Sequence, residues 1–213
     1  MYACWSTKGG SGTTVVAAAL ALSRAATGAS VRLVDFAGDL PAALGIVEPD
    51  SPGVTDWLVS RDTTTDDLMR SFVPVTSRVT LLPCGTKPNV PLTDADVERL
   101  VLALASDPSC TIVDVGTHPS AATICAQATK SILVVRPCYL ALRRATRSTI
   151  TPDSVIVVQE PGRALTTNDI EGVVGAKVTA TIPVDPTIAR AVDAGLLSSR
   201  LPIALATAIA GWA

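Results

Sequence analysis

One stretch of the sequence, Lys8-Gly-Gly-Ser-Gly-Thr-Thr14, has the residue types and spacing to hold a phosphate. Its glycines let the backbone curl so that successive N–H groups converge on one anion. A helix starting directly after the loop would add the positive end of its dipole. Two acids stand where a phosphate-bound magnesium ion needs carboxylates. Asp35 ends the apolar run Val31-Arg-Leu-Val-Asp35, and Asp114 ends Cys110-Thr-Ile-Val-Asp114. An ordinary glycine-rich turn between a strand and a helix would explain the loop alone. The two strand-end acids favour phosphate chemistry.

Other chemistries have less support. His118 is the only histidine, which removes any histidine-based metal site. It follows Asp114 by four residues, and a switch or surface role there competes with no special role. The five cysteines, at positions 4, 84, 110, 125 and 138, are odd in number and form no C-x-x-C pair. They read as reduced, buried small residues in a cytoplasm, not as a disulfide frame or zinc site. No Ser/His/Asp triad can be singled out.

These residues need a scaffold, and the chain alternates strands and helices throughout. Strands are expected at Met1–Trp5, Val31–Asp35, Val79–Pro83, Cys110–Asp114, Ser131–Arg136, Ser154–Gln159 and Lys177–Ile182. Helices are expected at Thr13–Ala26, from a Thr93–Asp96 capping box to about Ala105, and at about Tyr139–Thr149, Pro186–Leu197 and Ile203–Ala210. Between Ala37 and Ser77, prolines punctuate short helical pieces. Continuous Val/Ile/Leu strands between helices predict an α/β fold, a mostly parallel sheet covered on both faces. With no internal repeat or linker, residues 1–213 read as one domain.

Composition narrows the function classes. Hydrophobic residues make up 48% and charged residues 17%, which excludes a disordered chain. A net charge of −2 and 3% aromatics give no bulk signal for nucleic acid. The longest charge-free runs, 9–23 and 115–129, fall short of the roughly 20 apolar residues a bilayer span takes. The stretch Ile203–Trp212 has no Lys or Arg, so it reads as packed on the sheet and not as a basic membrane-surface helix. Trp57 and Trp212 read as core or dimer aromatics. Arg143, Arg144 and Arg147 form a basic helix face, either solvated or a patch for DNA or a partner.

Lys8–Thr14 resembles the deviant Walker A motif, KGGxGK[ST], of the ParA/MinD group of P-loop ATPases. Asp35 resembles the first acid of that group's second motif, and Asp114 its Walker B acid. Ser131–Pro137 with Leu140–Arg143, and Ile182–Asp185 with Ala191–Gly195, are similar to the group's later strand–helix patterns, so the resemblance covers nearly the whole chain. It implies a three-layer P-loop NTPase fold, ATP with Mg²⁺ and a nucleotide-bridged homodimer. The loop formed by Gly9, Gly10, Ser11 and Gly12, with Thr13 beside it, would hold the phosphates. Thr14, Asp35 and Asp114 would serve Mg²⁺. Lys8 would reach phosphate across the dimer, and Gln159 would stand at the adenine-contacting position.

Two positions depart from the pattern. Thr13 replaces the P-loop lysine, and Ala37 replaces the acid two residues after Asp35. An ammonium about 4 Å from a phosphate oxygen contributes up to roughly 4 kcal/mol at an effective dielectric near 20. Losing that in the transition state slows hydrolysis by around 10³-fold. Ala37 can neither orient nor deprotonate water, and Asp39 would have to shift in as the substitute acid. The expectation is a nucleotide switch with slow or absent turnover. A P-loop without its inner lysine resembles the TadZ/CpaE branch of pilus-assembly localisation proteins, and related septum-site proteins look similar. The resemblance does not extend to that branch's usual receiver-like N-terminal domain. The expected role is to position a pilus, secretion or septum machine through a protein partner. The alternative is an active ATPase that partitions DNA or cargo on the nucleoid. A metabolic enzyme on this fold would need an intact P-loop lysine or paired cluster cysteines.

Overall fold

The structure, a computed structural model, describes residues 1–212. The chain runs β1 (Tyr2–Trp5), α1 (Thr13–Ala26), β2 (Val31–Asp35), α2 (Leu40–Leu44), α3 (Val54–Val59), α4 (Thr65–Arg70), β3 (Val73–Pro74), β4 (Val79–Leu82), α5 (Asp94–Leu104) and β5 (Cys110–Gly116). It continues with α6 (Ala121–Ala126), β6 (Lys130–Val135), α7 (Tyr139–Ala145), β7 (Ser154–Gln159), α8 (Thr167–Val174), β8 (Val178–Pro183), α9 (Pro186–Asp193) and α10 (Ile203–Ala208), and a short 3₁₀ turn follows at Ala210–Trp212.

The strands form one eight-stranded sheet in the order β3-β4-β2-β5-β1-β6-β7-β8. Every pairing is parallel except the short edge pair of β3 with β4. The strands are apolar on both faces because both faces are covered. Along β6, Ile132 and Val134 join one core, while Leu133 and Val135 join the other. One core lies under α3 to α8 and includes the buried Trp57; the other lies under α1, α2 and α10. This is the expected three-layer, mostly parallel architecture. Buried Ala17, Ala18, Ala19 and Ala21 give α1 a small-residue face, which lets it lie close against the strands that carry the site.

Several elements differ from the sequence expectation. The segment Tyr139–Thr149 is helical only to Ala145. There the Thr146 hydroxyl donates to the Arg143 carbonyl, and the turn continues through Arg147 and Ser148. The helix at Pro186 ends at Asp193 rather than Leu197, and α10 ends at Ala208. β5 runs two residues past Asp114. Three elements, β3, α6 and α8, were not expected at all. α8 had a readable start: Thr166 and Asp169 form a capping box like that of Thr93 and Asp96 at α5. All five cysteines are free thiols. Trp212 is partly buried, with the Lys130 ammonium 4.4 Å from its ring centroid. Among the described residues, no helix is long and apolar enough to cross a membrane.

Candidate functional site

In the loop between β1 and α1, the backbone N–H groups of Gly9 to Gly12 have no hydrogen-bond acceptor among the described residues. Gly12 caps α1 in the left-handed region, at φ 93°. An L side chain is strained in that conformation, which is why a glycine stands there. The Ser11 hydroxyl donates to the Lys8 carbonyl at 2.7 Å, and the Ser6 hydroxyl donates to the same carbonyl at 3.1 Å. These bonds tie the loop's carbonyls and hydroxyls to each other. Thr13 is buried at the first position of α1, and Thr14 follows half-buried.

Asp35 and Asp114 are register partners on the adjacent parallel strands β2 and β5, and both are fully buried. Their surroundings differ. Asp35 accepts three backbone N–H bonds: Ala37 at 2.9 Å and Gly38 at 2.7 Å on Oδ1, and Leu40 at 3.0 Å on Oδ2. Asp114 accepts a single backbone N–H, that of Gly116 at 3.1 Å on Oδ1, while its Oδ2 is buried with no hydrogen-bond partner among the described residues. Burial pushes the Asp35 carboxyl up to about 6, with the three backbone donors pulling it back. Burial, then the Asp35 charge, pushes Asp114 up to about 7, with the Thr14 hydroxyl pulling the other way.

A cleft of about 690 Å³ opens beside these acids, lined by the residues that follow them in the chain. Its wall includes the loop Gly9–Thr14, Ala37 and Asp39 after β2, and Gly116 at the end of β5 with Thr117 and His118 after it. Ala37 sits directly on Gly116. A Cβ added to Gly116 would meet the Ala37 Cβ at 3.0 Å, and the Gly116 φ of 53° disfavours a side chain anyway. Asp39 is exposed on the cleft rim, with its side chain making no capping bond to α2. His118 is buried in the cleft wall, not on the surface, and its ring rests on Phe36. Asn89, in the loop before α5, and Val192 and Asp193 of α9 also line the cleft. Sequence reasoning missed these, because nothing local to them signals that distant segments converge there.

Four expected residues do not line the cleft: Asp35 and Asp114 are fully buried, and Lys8 and Gln159 stand beside it. Lys8 is half-buried at the outer lip, with its Nζ turned back 3.2 Å to the Gly9 carbonyl. Gln159 ends β7 opposite Pro183, with its amide 3.4 Å from the Glu160 carbonyl. Its neighbours Val158, Ile182 and Pro183 line a smaller apolar pocket of about 190 Å³, which shares Gly12 and Val15 with the main cleft. Arg143, Arg144 and Arg147 are exposed on and just after α7. That helix is fastened to the lip: the Thr7 hydroxyl donates to the Ala141 carbonyl at 3.0 Å, and Arg144 donates to the Thr7 carbonyl at 3.3 Å.

The residues present fit a phosphate-bound Mg²⁺. Among the described residues, no group of three or more His, Cys, Asp or Glu side chains could hold a metal alone. Mg²⁺ does not need such a cage, because it keeps waters and takes phosphate oxygens in addition to one or two protein ligands. The unpartnered Asp114 Oδ2, with Thr14 beside it, is an acceptor of the kind such a hydrated ion uses.

No protein-family model matches the sequence, and no curated protein matches it. Solved structures do. A ParA family ATPase from Chlorobium tepidum superposes with a TM-score of 0.76 at 22% identity, covering 99% of this chain and 97% of that one. The MinD cell division protein of Aquifex aeolicus gives 0.77 at 20% identity, covering 99% and 94%. The septum site-determining protein MinD of Pyrococcus horikoshii, complexed with Mg-ADP, gives 0.77 at 19% identity, covering 99% and 93%. The chain therefore has the P-loop fold of the ParA and MinD ATPases.

Proposed function

We propose that the protein binds ATP with Mg²⁺ and acts as a positioning regulator of the ParA/MinD kind. In this reading it is a nucleotide-dependent homodimer with slow or absent hydrolysis, and it places a pilus, secretion or septum machine through a protein partner. The TadZ/CpaE-like loss of the P-loop lysine supports that branch. The observation that carries the proposal is the Asp114 Oδ2, buried without a hydrogen-bond partner among the described residues and next to Thr14, the second residue of α1. Mg²⁺ bound there would neutralise phosphate charge.

The remaining roles belong to the chain. Gly9 to Gly12 hold the phosphates by backbone N–H groups, aided by the positive end of α1. The Thr14 hydroxyl and Asp114 orient the ion's shell, and Asp35 shapes the loop beside it. Lys8, at the outer lip, is free to reach a second copy's phosphates. The small pocket beside Gln159 suits the base. Thr13 brings no charge to the phosphates and Ala37 no base to a water, so binding outlasts turnover. Asp39 is the one acid of this loop on the rim, and it would have to approach to substitute.

The test is nucleotide affinity together with steady-state hydrolysis. Mg-ATP should bind and turn over far below about 1 s⁻¹, the low end of ordinary enzyme rates. Thr13→Lys should tighten ATP and restore little hydrolysis while Ala37 remains. Hydrolysis at ordinary rates by the native chain would overturn the reading. The DNA-partitioning alternative has one feature in its favour, the three exposed arginines of the α7 region. Three phosphate contacts predict a salt slope near −3 in log–log form, which is shallow for nucleoid attachment.

A further inference from the structure

The helix α9 borders two concave surfaces. Its Val192 and Asp193 line the nucleotide cleft, whereas Thr187, Arg190 and Ala191 line a second, open groove of about 580 Å³ that α10 closes on its other side. None of the α9 side chains is fully buried. The groove has an apolar floor and rim. Leu201 and Pro202 lead into α10, Leu196 is 47% exposed and Ile203 is 84% exposed. Large aliphatic side chains left open together in a concavity mark a surface that another molecule covers.

The same groove is positive. Arg190 of α9 and Arg200 in the turn before α10 both line it, and both are exposed. Neither has a carboxylate within ion-pair distance among the described residues. Asp185 is the one acid of the lining among the described residues, and it is engaged: its Oδ1 accepts the Thr187 backbone N–H and the Thr187 hydroxyl, each at 2.6 Å. Unpaired guanidinium groups beside an apolar floor select carboxylates, because their planar fork matches a carboxylate's two oxygens.

The walls are held from beneath, so the groove is already formed. Leu197 and Leu205 are fully buried on either side of it. The turn after α9 lies backbone to backbone on the end of α2, where a Cβ at Gly45 would overlap the Gly195 carbonyl. The Ser198 hydroxyl donates to the Leu44 carbonyl at 2.6 Å. A second cavity of about 360 Å³ shares Leu201 and continues to Arg78 and to Ala25 and Ala26 at the end of α1. The two cavities joined at Leu201 make a trough longer than a small anion needs and suited to several residues of peptide. Duplex DNA fits it poorly, since DNA affinity comes from many cations on phosphates and an apolar concavity offers few.

We propose that this trough between α9 and α10 is the docking site for an acidic, amphipathic segment of a partner protein. Its apolar side chains seat on Leu196, Leu201 and Ile203, and its carboxylates pair with Arg190 and Arg200. A preformed groove spares the ordering cost of binding on this side of the interface. The arginines fix the segment's register and speed its encounter with the groove. The inference rests on the positioning reading for the partner's role, while the groove itself contains none of the residues Gly9 to Thr14.

The test pans full-length protein against a phage-displayed library of random peptides, then titrates the enriched peptides by fluorescence anisotropy. Enriched sequences should combine Asp or Glu with Leu, Ile or Phe. Arg190→Glu together with Arg200→Glu should weaken their binding by about tenfold or more. Replacing the peptide's acids by Lys should recover part of that loss on the charge-reversed protein and none on the native one, which also shows that the variant is folded. Ile203→Ser, which keeps the charge, should weaken binding by about threefold or more. No enrichment, enrichment of neutral or basic peptides, or unchanged affinity in the variants would overturn the inference. Random duplex DNA held by the same arginines with no peptide selected would overturn it too, as would a nucleotide-free dimer lost in Ile203→Ser, because the face would then belong to DNA or to a second copy. Amide shifts of Gly9 to Thr14 on adding Mg-ATP separate the two readings. Shifts without peptide binding leave the nucleotide site standing and sink the docking site, and peptide binding without shifts does the reverse.

Discussion

Two loops leave the sheet side by side, one after Asp35 and one after Asp114, and they use the same buried carboxylate in opposite ways. The strands are in register, so the two acids are paired residue for residue. The first loop turns back at once. Its Ala37, Gly38 and Leu40 N–H groups all bond Asp35, and α2 begins where the turn ends. The second loop extends two residues further as strand and gives Asp114 one backbone donor. Asp35 is thus a staple that shapes a wall, and Asp114 keeps an oxygen in reserve. A buried carboxylate is a site candidate when its partners are missing, more than when its charge is merely buried.

The sharpest way to break this comparison is to change each acid and measure both binding and folding. Asp114→Asn should weaken Mg²⁺-dependent nucleotide binding by up to about 100-fold, the range seen when groups orienting a metal's shell are removed. Titration calorimetry with and without Mg²⁺ measures it, and an unchanged affinity would place the ion elsewhere. Asp35→Ala should act mainly on folding. It strips acceptors from three backbone N–H groups and also removes a buried charge, for a net loss of about 2 kcal/mol. Urea unfolding of the ligand-free protein checks it, and a stability gain would show that the staple is not what holds the loop.

The pH dependence follows from both acids together. Their folded values, about 6 for Asp35 and about 7 for Asp114, lie above the ordinary carboxylate value near 3.8. The folded chain therefore binds more protons than the unfolded one between about pH 4 and 7, and stability falls as pH rises through that window. The stabilising contribution is fully present below about pH 4 and is lost above the folded values. Each extra proton contributes a slope of up to about 1.4 kcal/mol per pH unit. Ligand-free protein should melt higher at pH 5.5 than at pH 8. In the smallest effect expected, Asp114→Asn should raise the pH 8 melting temperature of ligand-free protein by a few degrees and flatten the profile. A profile that kept its slope in that variant would assign the proton uptake to Asp35 alone.

Much of the scaffold was legible because it is written locally. The interval Thr13–Ala26 is helical end to end as expected, since its alanines and leucines favour a helix and Gly28 lies just beyond it. The Thr93–Asp96 box does open α5. Val31–Asp35 is strand over the expected interval, with both faces buried. α6 was not legible, because Ala121–Ala126 has neither a side-chain cap nor a clear apolar period. α7 stopped early because Thr146 turns its hydroxyl onto the preceding turn, a competition between side chain and backbone that periodicity does not register.

By itself the sequence determined the glycine loop, the two strand ends that carry acids, the parallel α/β order and the missing groups at Thr13 and Ala37. Each of these lies within a few residues of chain, where backbone sterics, capping and apolar period operate. Only the tertiary structure decided what those groups meet. It showed that Asp35 is saturated and Asp114 is not, that Lys8 stands outside the cleft, and that Asn89 and Asp193 stand in its wall. It also buried His118 against Phe36 with one nitrogen unpaired among the described residues. Burial and the presence or absence of a partner depend on which distant segments pack together, and no local pattern of residues encodes that.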